Sequence, residues 1–391
     1  MIIKEIERFE GRKNIALIED CKTITYDILI KLISENKEGI IKGSLVFIIA
    51  ENNIDTIIFY LKCLKNGAIV LLLNHSISFS NLNKLVKEFN PSMIFSIKEF
   101  KNLSIEPVIF PNYIIYSFKN YAADLNSNIA LLLTTSGSTG DPKLVMVSNK
   151  NLYENTKSIC NYLDISSNDR HITTLPFNYT YGLSCINTHL FKGASIILNN
   201  DSIISTNFIK RLRDLLPTTL AGVPYTYETF CRLGLNRLPL NSIKKMTQAG
   251  GKLNEKFIFE INKFCSEFKK EFFVMYGQTE ATARMSFLPP KMLTKKMGSI
   301  GIAIPGGKFK IINKINYEPV NNFSVGELVY EGENVTLGYA VCSNDLKKNH
   351  ESKKVLFTGD LAYFDNEGYL FITGRIKRFA KINGLRVSLD S

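Results

Sequence analysis

The chain has 391 residues, more than one ordinary hydrophobic core accommodates and enough for two or three domains. Hydrophobic residues make up 45% of it and charged residues 21%, as in soluble globular proteins, and no apolar run approaches the ~18 residues of a membrane span. The net charge of +12 favours an anionic substrate over nucleic acid, because lysine is spread evenly and no basic patch is interleaved with aromatic residues.

The cysteines and the N-terminus indicate a cellular compartment. The seven cysteines are scattered without a C-x-x-C pair, which predicts free thiols in a reducing environment. The first residues are charged and do not resemble a signal peptide, and the four histidines lack metal-ligand spacing. We therefore expect a cytoplasmic protein.

Strand and helix patterns alternate along the first part of the chain. Apolar runs predict strands, and apolar residues three and four positions apart predict helices. The predicted strands are 45–50, 68–73, 93–95 and 129–133. The helices between them end at Asn66-Gly67 and before Pro91. This rhythm predicts a parallel sheet with helices on both faces.

The alternation resumes after a strand at 144–147, with a helix from about 149 to 163 whose N-cap is Ser148 or Asn149. The later predicted strands are 171–175, 194–198, 219–221, 244–247 and 272–275, with helices near 205–215 and 253–268. These elements predict a second α/β layer system. From about 305 to 370, short strands with frequent Gly and Asn predict a small β-barrel or distorted sheet.

A loop of glycines and hydroxyls lies between the strands 129–133 and 144–147. Gly137 and Gly140 let the backbone approach a ligand closely. Side-chain hydroxyls and backbone N–H groups suit phosphate oxygens, and Lys143 adds a point charge. The hydroxyls belong to Thr134, Thr135, Ser136, Ser138 and Thr139. The spacing is not that of the Walker A loop. A solvated linker is the ordinary alternative, but linkers rarely lie between two apolar strands.

Two further stretches stand at predicted strand ends, where parallel sheets bind ligands. Gly250 and Gly251 would let a flat ring lie against the backbone, although an ordinary tight turn is the simpler reading. Tyr276 could stack on a base, Thr279 could bond a phosphate and Glu280 could hold Mg²⁺. Equally, Tyr276 could pack in the core and Glu280 could be a solvated charge.

A third stretch comes later in the chain. Asp360 follows a turn glycine and suits a bidentate bond to ribose hydroxyls, and Arg375 could reach the ribose or the α-phosphate. The alternatives are an Asx-turn for Asp360 and a surface ion pair for Arg375.

Together these stretches resemble the ANL superfamily of adenylate-forming enzymes, which includes acyl-CoA synthetases, peptide-synthetase adenylation domains and luciferases. The matching segments occur in the family's order and cover essentially the whole chain. They are 135–143 (T-S-G-[ST]-[TS]-G-x-P-K), 276–280 (Y-G-x-T-E), 326–339 (G-E-[LI]…G-Y), 358–360 (T-G-D) and 374–387 (G-R-x-[DK]-x-x-I-K-x-x-G-x-R-[IV]). Ala380 departs from the last pattern, which has Ile there.

The resemblance implies a fold and an activity. The fold would be two packed αβα subdomains with mostly parallel sheets plus a small distorted β-barrel. The activity would use ATP and Mg²⁺ to convert a carboxylic acid to acyl-AMP and pyrophosphate, and then transfer the acyl group to CoA or to the phosphopantetheine of an acyl or peptidyl carrier protein. The alternatives are a non-catalytic nucleotide- or acyl-binding module, an amino-acid-activating adenylation domain and, disfavoured without a Walker A loop, a phosphate-loop ATPase.

The resemblance also implies residue roles. Lys143, Thr279 and Glu280 would be catalytic, and Glu280 would hold the metal. The implied nucleotide-binding residues are Thr135, Ser136, Gly137, Ser138, Thr139, Gly140, Lys143, Gly250, Gly251, Tyr276, Gly277, Gln278, Thr279, Asp360 and Arg375. Asp360 and Arg375 would contact the ribose. Lys377 resembles the hinge between the large domain and a lid.

The implied domain boundaries are 1–170 and 171–304 for the α/β subdomains, 305–376 for the β-barrel and 377–391 for the hinge with a stub of the lid. Superfamily members continue into a small C-terminal lid that carries a lysine for adenylation. The sequence stops at Ser391, so we expect that lid to be missing and full activity not to be reached.

The segment after Pro176 corresponds to the family's acyl pocket, here Asn178, Tyr179, Tyr181 and Gly182. None of these is charged, and a buried ammonium without a carboxylate partner would be costly. We therefore expect a small to medium carboxylic acid without a free α-amine. The alternative is that a more distant acid, such as Glu228, meets an amine.

Overall fold

The computed structural model describes residues 1–101, 103, 105–134, 143–313, 318–351 and 353–376 in full. It also gives the backbone of 379–382 and 385–388. The predicted phosphate-loop residues 135–140 and the predicted hinge residue Lys377 lie outside the described residues.

The helices begin and end largely where local capping signals predict. In chain order they are α1 Ile2–Glu7, α2 Tyr26–Ser34, α3 Ile54–Asn66, α4 Phe79–Phe89, α5 Asn149–Tyr162, α6 Thr180–Phe191, α7 Thr206–Leu215, α8 Pro224–Leu233 and α9 Glu255–Glu267. Ser148 caps α5, since its hydroxyl accepts from the backbone N–H of Asn151 at 3.0 Å while Asn151 Oδ1 accepts from the N–H of Ser148. Gly67 ends α3 in the left-handed region, with φ +71°.

The strands are mostly short apolar segments. They are β1 Ile15–Glu19, β2 Lys22–Thr25, β3 Leu45–Ala50, β4 Ile69–Asn74, β5 Met93–Ser96, β6 Val108–Ile109, β7 Ile114–Ser117, β8 Ile129–Thr134, β9 Leu144–Ser148, β10 Arg170–Ile172, β11 Ser195–Ile197, β12 Thr219–Gly222, β13 Lys245–Gln248, β14 Glu271–Tyr276, β15 Ser286–Leu288, β16 Ile302–Ala303, β17 Lys308–Ile312, β18 Gly326–Glu331, β19 Tyr339–Ala340, β20 Val355–Phe364, β21 Leu370–Arg375, β22 Phe379–Ile382 and β23 Leu385–Ser388.

The first sheet has the order β19-β9-β8-β4-β3-β5-β7-β6. Its centre is parallel, because β4 pairs with β3 and β8, and β3 pairs with β5, in that direction. The edges are antiparallel. The strand β8 leads into residues 135–142 and β9 continues from them, so the glycine and hydroxyl segment starts and ends at neighbouring strands of this sheet.

The second sheet has the order β16-β15-β14-β13-β12-β10-β11-β1-β2. The run from β14 to β1 is parallel throughout. The hairpin β1–β2, from the start of the chain, joins this sheet through β11. The sheets therefore cross the predicted boundary at residue 170, and the four-part division of the chain stays a prediction.

A third sheet, β17-β18-β20-β21, is antiparallel, and β22 pairs with β23 in a separate hairpin. Two α/β layers with mainly parallel sheets and a small antiparallel sheet confirm the predicted fold class. Among the described residues, no helix is long and apolar enough to cross a membrane.

The helix α6 connects the two layers and is absent from the sequence prediction. All its residues from Thr180 to Leu190 are buried, so it lacks the polar stripe by which a surface helix is recognised. Leu183, Ile186 and Leu190 pack into the same core as the first sheet's Val46 and Val70. The start of α6, which carries the predicted acyl-pocket residues, is thereby fixed between the layers.

Candidate functional site

The carboxyl ends of β12, β13 and β14 lie side by side at one edge of the second sheet. Their register pairs Gly222 with Gln248 and Gln248 with Val274. The turns that follow β13 and β14 carry the predicted nucleotide-binding residues 250–251 and 276–280. The topology therefore brings these two stretches to the edge where parallel sheets bind ligands.

Asp360 lies at the centre of a polar cluster and is itself buried, with 1% of its surface exposed. Its Oδ2 accepts from Tyr276 Oη at 2.5 Å and from Gln278 Nε2 at 2.9 Å, and its Oδ1 pairs with Arg375 Nε at 2.7 Å. Asp360 and Arg375 are directly opposite on β20 and β21. Four predicted nucleotide-binding residues thus meet, because the turn after β14 packs on the third sheet.

Burial, followed by the negative charge of Asp360, raises the pKa of Tyr276. This phenol therefore stays protonated and donates to the carboxylate. A buried carboxylate is tolerated only where donors satisfy it, and charge-assisted hydrogen bonds are the stronger ones. Each carboxylate oxygen accepts about two bonds, so Oδ1 retains acceptor capacity beyond Arg375.

A second cluster joins Glu280, Tyr339 and Lys143. Tyr339 Oη donates to Glu280 Oε1 at 2.7 Å, and Lys143 Nζ lies 3.8 Å from the centroid of the Tyr339 ring. The contact arises because β19 pairs with β9, which places Tyr339 opposite Val145, two residues after the lysine. The cation next to the glycine and hydroxyl segment therefore lies close to the predicted metal ligand.

Thr279 and Gly250 both face residues at the start of α6. Thr279 Oγ1 lies 3.2 Å from Thr180 Oγ1 at the start of α6. Gly250 has φ +80°, and a Cβ there would lie 2.5 Å from Tyr179 Oη, so only glycine fits. A Cβ at Gly277 would lie 1.8 Å from the carbonyl oxygen of Ala283.

The predicted acyl-pocket residues form the turn into α6 and its first residues, and Tyr181 contacts β13 of the second sheet. Tyr181 is buried, and its hydroxyl lies 2.8 Å from both the carbonyl oxygen and the side-chain oxygen of Thr247. The Tyr179 and Tyr181 rings pack edge to face. Asn178 Oδ1 is buried without a hydrogen-bond partner. A Cβ at Gly182 would lie 2.3 Å from the carbonyl oxygen of Pro176, so the turn into α6 requires glycine.

Two residues of this region were not singled out from the sequence. Tyr339 belongs to a recognised G-Y pair, but only the β9–β19 pairing shows its contact with Lys143 and Glu280. Arg284 lies four residues after Glu280 and is 3% exposed. In the sequence, its burial was indicated only by the position of a single arginine before the largely apolar run 285–288.

The carboxylate oxygens of Glu280 are suitable ligands for a Mg²⁺ ion that binds as a complex with a nucleotide. Within the described ranges, no three His, Cys, Asp or Glu side chains come together to hold a metal. Mg²⁺ usually takes one or two carboxylates together with substrate phosphates and water, so one partly exposed carboxylate beside a lysine is an adequate protein contribution.

Comparisons with known proteins identify the fold and then the family. O-Succinylbenzoate coenzyme A synthetase from Bacillus subtilis, solved with ATP and a magnesium ion, matches with a TM-score of 0.79 at 22% sequence identity, over 99% of this chain and 82% of that one. A sequence model of the AMP-binding enzyme family matches residues 14–340. The chain therefore belongs to the AMP-binding enzyme family, which confirms the resemblance to adenylate-forming enzymes.

Two curated relatives show how much of a related protein the chain represents. The oxalate–CoA ligase of Saccharomyces cerevisiae is 29% identical over 299 residues, 75% of this chain and 51% of that protein. The 2-succinylbenzoate–CoA ligase of Oceanobacillus iheyensis is 26% identical over 351 residues, 87% of this chain and 70% of that protein. The chain spans about half the length of the first relative.

Proposed function

We propose that the protein activates a carboxylic acid as acyl-AMP, with release of pyrophosphate, and transfers the acyl group to a thiol. The observation that carries the proposal is the position of the turn 276–280. At one end the turn contacts Asp360, which pairs with Arg375, and at the other it contacts Tyr339, beside Lys143. Both relatives named above are CoA ligases, which favours CoA over carrier-protein phosphopantetheine as the acceptor.

The first step would be an in-line displacement at phosphorus. A carboxylate oxygen of the acid attacks the α-phosphorus of ATP, the bond from that phosphorus to the pyrophosphate oxygen breaks, and pyrophosphate leaves. In the second step the sulfur of the thiol, having lost its proton, attacks the acyl carbon and AMP leaves. Cationic donors, together with Mg²⁺ when it is bound, would stabilise the charge that develops on the phosphate oxygens.

Each end of the turn has a distinct part in this proposal. Asp360 and Arg375 hold the ribose, and Tyr276 lies with Gly250 and Gly251 beside the adenine. Thr279 contacts the α-phosphate.

Glu280 would hold Mg²⁺, while Lys143 and the segment 135–140 bind the β- and γ-phosphates. Lys377 serves as the hinge.

The acid would enter beside Asn178 and Tyr179. No carboxylate is present among the predicted pocket residues, and Glu228 pairs with Arg232 on the surface of α8. An α-ammonium group would find no counter-charge at the predicted pocket, so we propose an acid without a free amine. This favours an acyl-CoA ligase over an amino-acid-activating domain.

The variant Lys143→Ala tests whether Lys143 binds the β- and γ-phosphates, which ATP has and AMP lacks. We expect the variant to bind Mg-ATP about fivefold more weakly and AMP with unchanged affinity, because an exposed charge contact contributes on the order of 1 kcal/mol. Isothermal titration calorimetry with both nucleotides measures this difference.

Lys150→Ala is the matched control. Lys150 is also an exposed lysine near the first sheet, but it pairs with Glu333 at 2.8 Å and has no place in the proposed site. Equal loss of ATP and AMP affinity in Lys143→Ala, or the same ATP loss in Lys150→Ala, would contradict the assignment of Lys143 to the β- and γ-phosphates.

A further inference from the structure

Arg284 is a buried cation whose neighbours do not neutralise it. Its guanidinium nitrogens lie 3.3 Å from Tyr162 Oη, 3.3 Å from Ser184 Oγ and 3.4 Å from Cys185 Sγ. Its Nε has no hydrogen-bond partner. The side chain is only 3% exposed, so burial removes the water around its charge, and three weak contacts are all that replace it.

None of these neighbours supplies a negative charge. Burial raises the pKa of Tyr162, of Tyr181 and of Cys185, so all three are neutral near pH 7. No carboxylate pairs with Arg284 among the residues that the structure describes. Asp169, the acid of this region, is engaged by the Ser166 backbone N–H at 2.9 Å and by Lys245 at 3.7 Å.

The guanidinium lies against Tyr181, one of the predicted acyl-pocket residues. Its central carbon is 4.7 Å from the centroid of the Tyr181 ring, so the cation stacks on the residue that lines the pocket. Beside it is a small cavity of about 20 Å³, lined by Arg284, Thr247, Cys185 and His189 among others. That volume holds about one water-sized polar group.

We propose that Arg284 determines specificity by pairing with a second carboxylate of the acid, so that the preferred substrate is a short dicarboxylic acid. The inference rests on the proposed acyl-adenylating function. The carboxylate that reacts with ATP lies near Thr279, and the other one meets the guanidinium. Arg284 suits this task because its planar fork binds carboxylates bidentately. Thr279 contacts Thr180 and Arg284 contacts Ser184, which are four residues or about 6 Å apart along α6, so the acid would have a short carbon chain.

The test uses non-reactive acyl-adenylate analogues, N-acylsulfamoyl adenosines, in two isosteric pairs. Malonyl is compared with 3-methylbutanoyl and succinyl with 4-methylpentanoyl, so each pair exchanges a carboxylate for an isopropyl group of similar shape. Calorimetry on the 391-residue chain should show one dicarboxylate analogue binding at least about 30-fold more tightly than its apolar partner, the order of effect for a desolvated charge pair.

Two variants assign the preference to the arginine. Arg284→Met should abolish or reverse the ratio within the pair while AMP still binds, and Arg284→Lys should keep part of it. Arg232→Met, on the exposed face of α8, should change nothing. If Arg284→Met does not fold, the wild-type ratio and Arg284→Lys decide.

The outcomes separate the two proposals. Equal binding within both pairs, an apolar preference in the wild type, or a ratio unchanged in Arg284→Lys and Arg284→Met would overturn the role of Arg284 while leaving nucleotide binding intact. Failure of AMP and of all four analogues to bind would instead overturn the proposed function, and the inference with it.

Discussion

We expect Asp360→Ala to weaken Mg-ATP binding by about 100-fold. Hydrogen bonds to a charged group contribute ~1.5–3 kcal/mol each, and the substitution would remove those to the ribose hydroxyls. It also leaves Tyr276 and Gln278 without their shared acceptor. Calorimetry with Mg-ATP, on protein whose folding is verified by thermal unfolding, measures the loss.

Asp365→Ala is the control for destabilisation alone. Asp365 is also a buried acid on the third sheet, just after β20, and Lys296 donates to it at 2.7 Å. It should lose stability comparably but keep its affinity for Mg-ATP. Undiminished affinity in Asp360→Ala, or the same loss in Asp365→Ala, would show that Asp360 does not hold the ribose.

The second large effect concerns the stability of the protein in acid. Burial lowers the pKa of His189 to about 4 from 6.5. Its Nδ1 donates to the carbonyl of Cys185 at 2.7 Å, and its Nε2 accepts from the Thr219 hydroxyl at 2.9 Å. These partners hold the neutral ring, because a carbonyl can only accept and the second nitrogen has no proton.

The sign of the effect follows from the direction of this shift. The unfolded chain takes up the proton near pH 6.5 and the folded chain only near 4, so stability is full above pH 6.5 and falls as the pH drops through this window. We expect the unfolding free energy of the wild type to fall by about 1.4 kcal/mol per pH unit more than that of His189→Gln. Urea titrations at several pH values measure it.

His75→Gln is the matched control, since His75 is exposed. It should show the wild-type dependence on pH. Parallel curves for the wild type and His189→Gln between pH 6.5 and 4 would contradict a buried neutral imidazole at this position.

Local patterns predicted the strands and the capped helices well because their causes are local. The Ser148 cap, the turn at Gly67 and the apolar runs of β3 and β4 depend on neighbouring residues. The pairing of the hairpin β1–β2 with β11 could not be predicted, since it joins residues about 180 positions apart.

For the candidate site too, some features could be predicted from the sequence and others could not. The resemblance to adenylate-forming enzymes implied that Asp360, Arg375, Tyr276 and Gln278 share a ligand, and the structure brings them together. It did not predict that Asp360 is already bonded to the other three, because the packing of the third sheet on the turn after β14 is not a sequence pattern. Arg284 was missed for a related reason: only the surrounding helices reveal that the charge is buried.

Acid-dependent exchange of labelled pyrophosphate into ATP tests the central claim most directly. The exchange reports reversible formation of acyl-AMP and needs no thiol, so it isolates the first step. The account predicts exchange that requires Mg²⁺ and one of a few carboxylic acids without an α-amine, and that is lost in Asp360→Ala. Absence of exchange with every acid tested, in protein that binds Mg-ATP, would contradict the claim and leave a nucleotide-binding module.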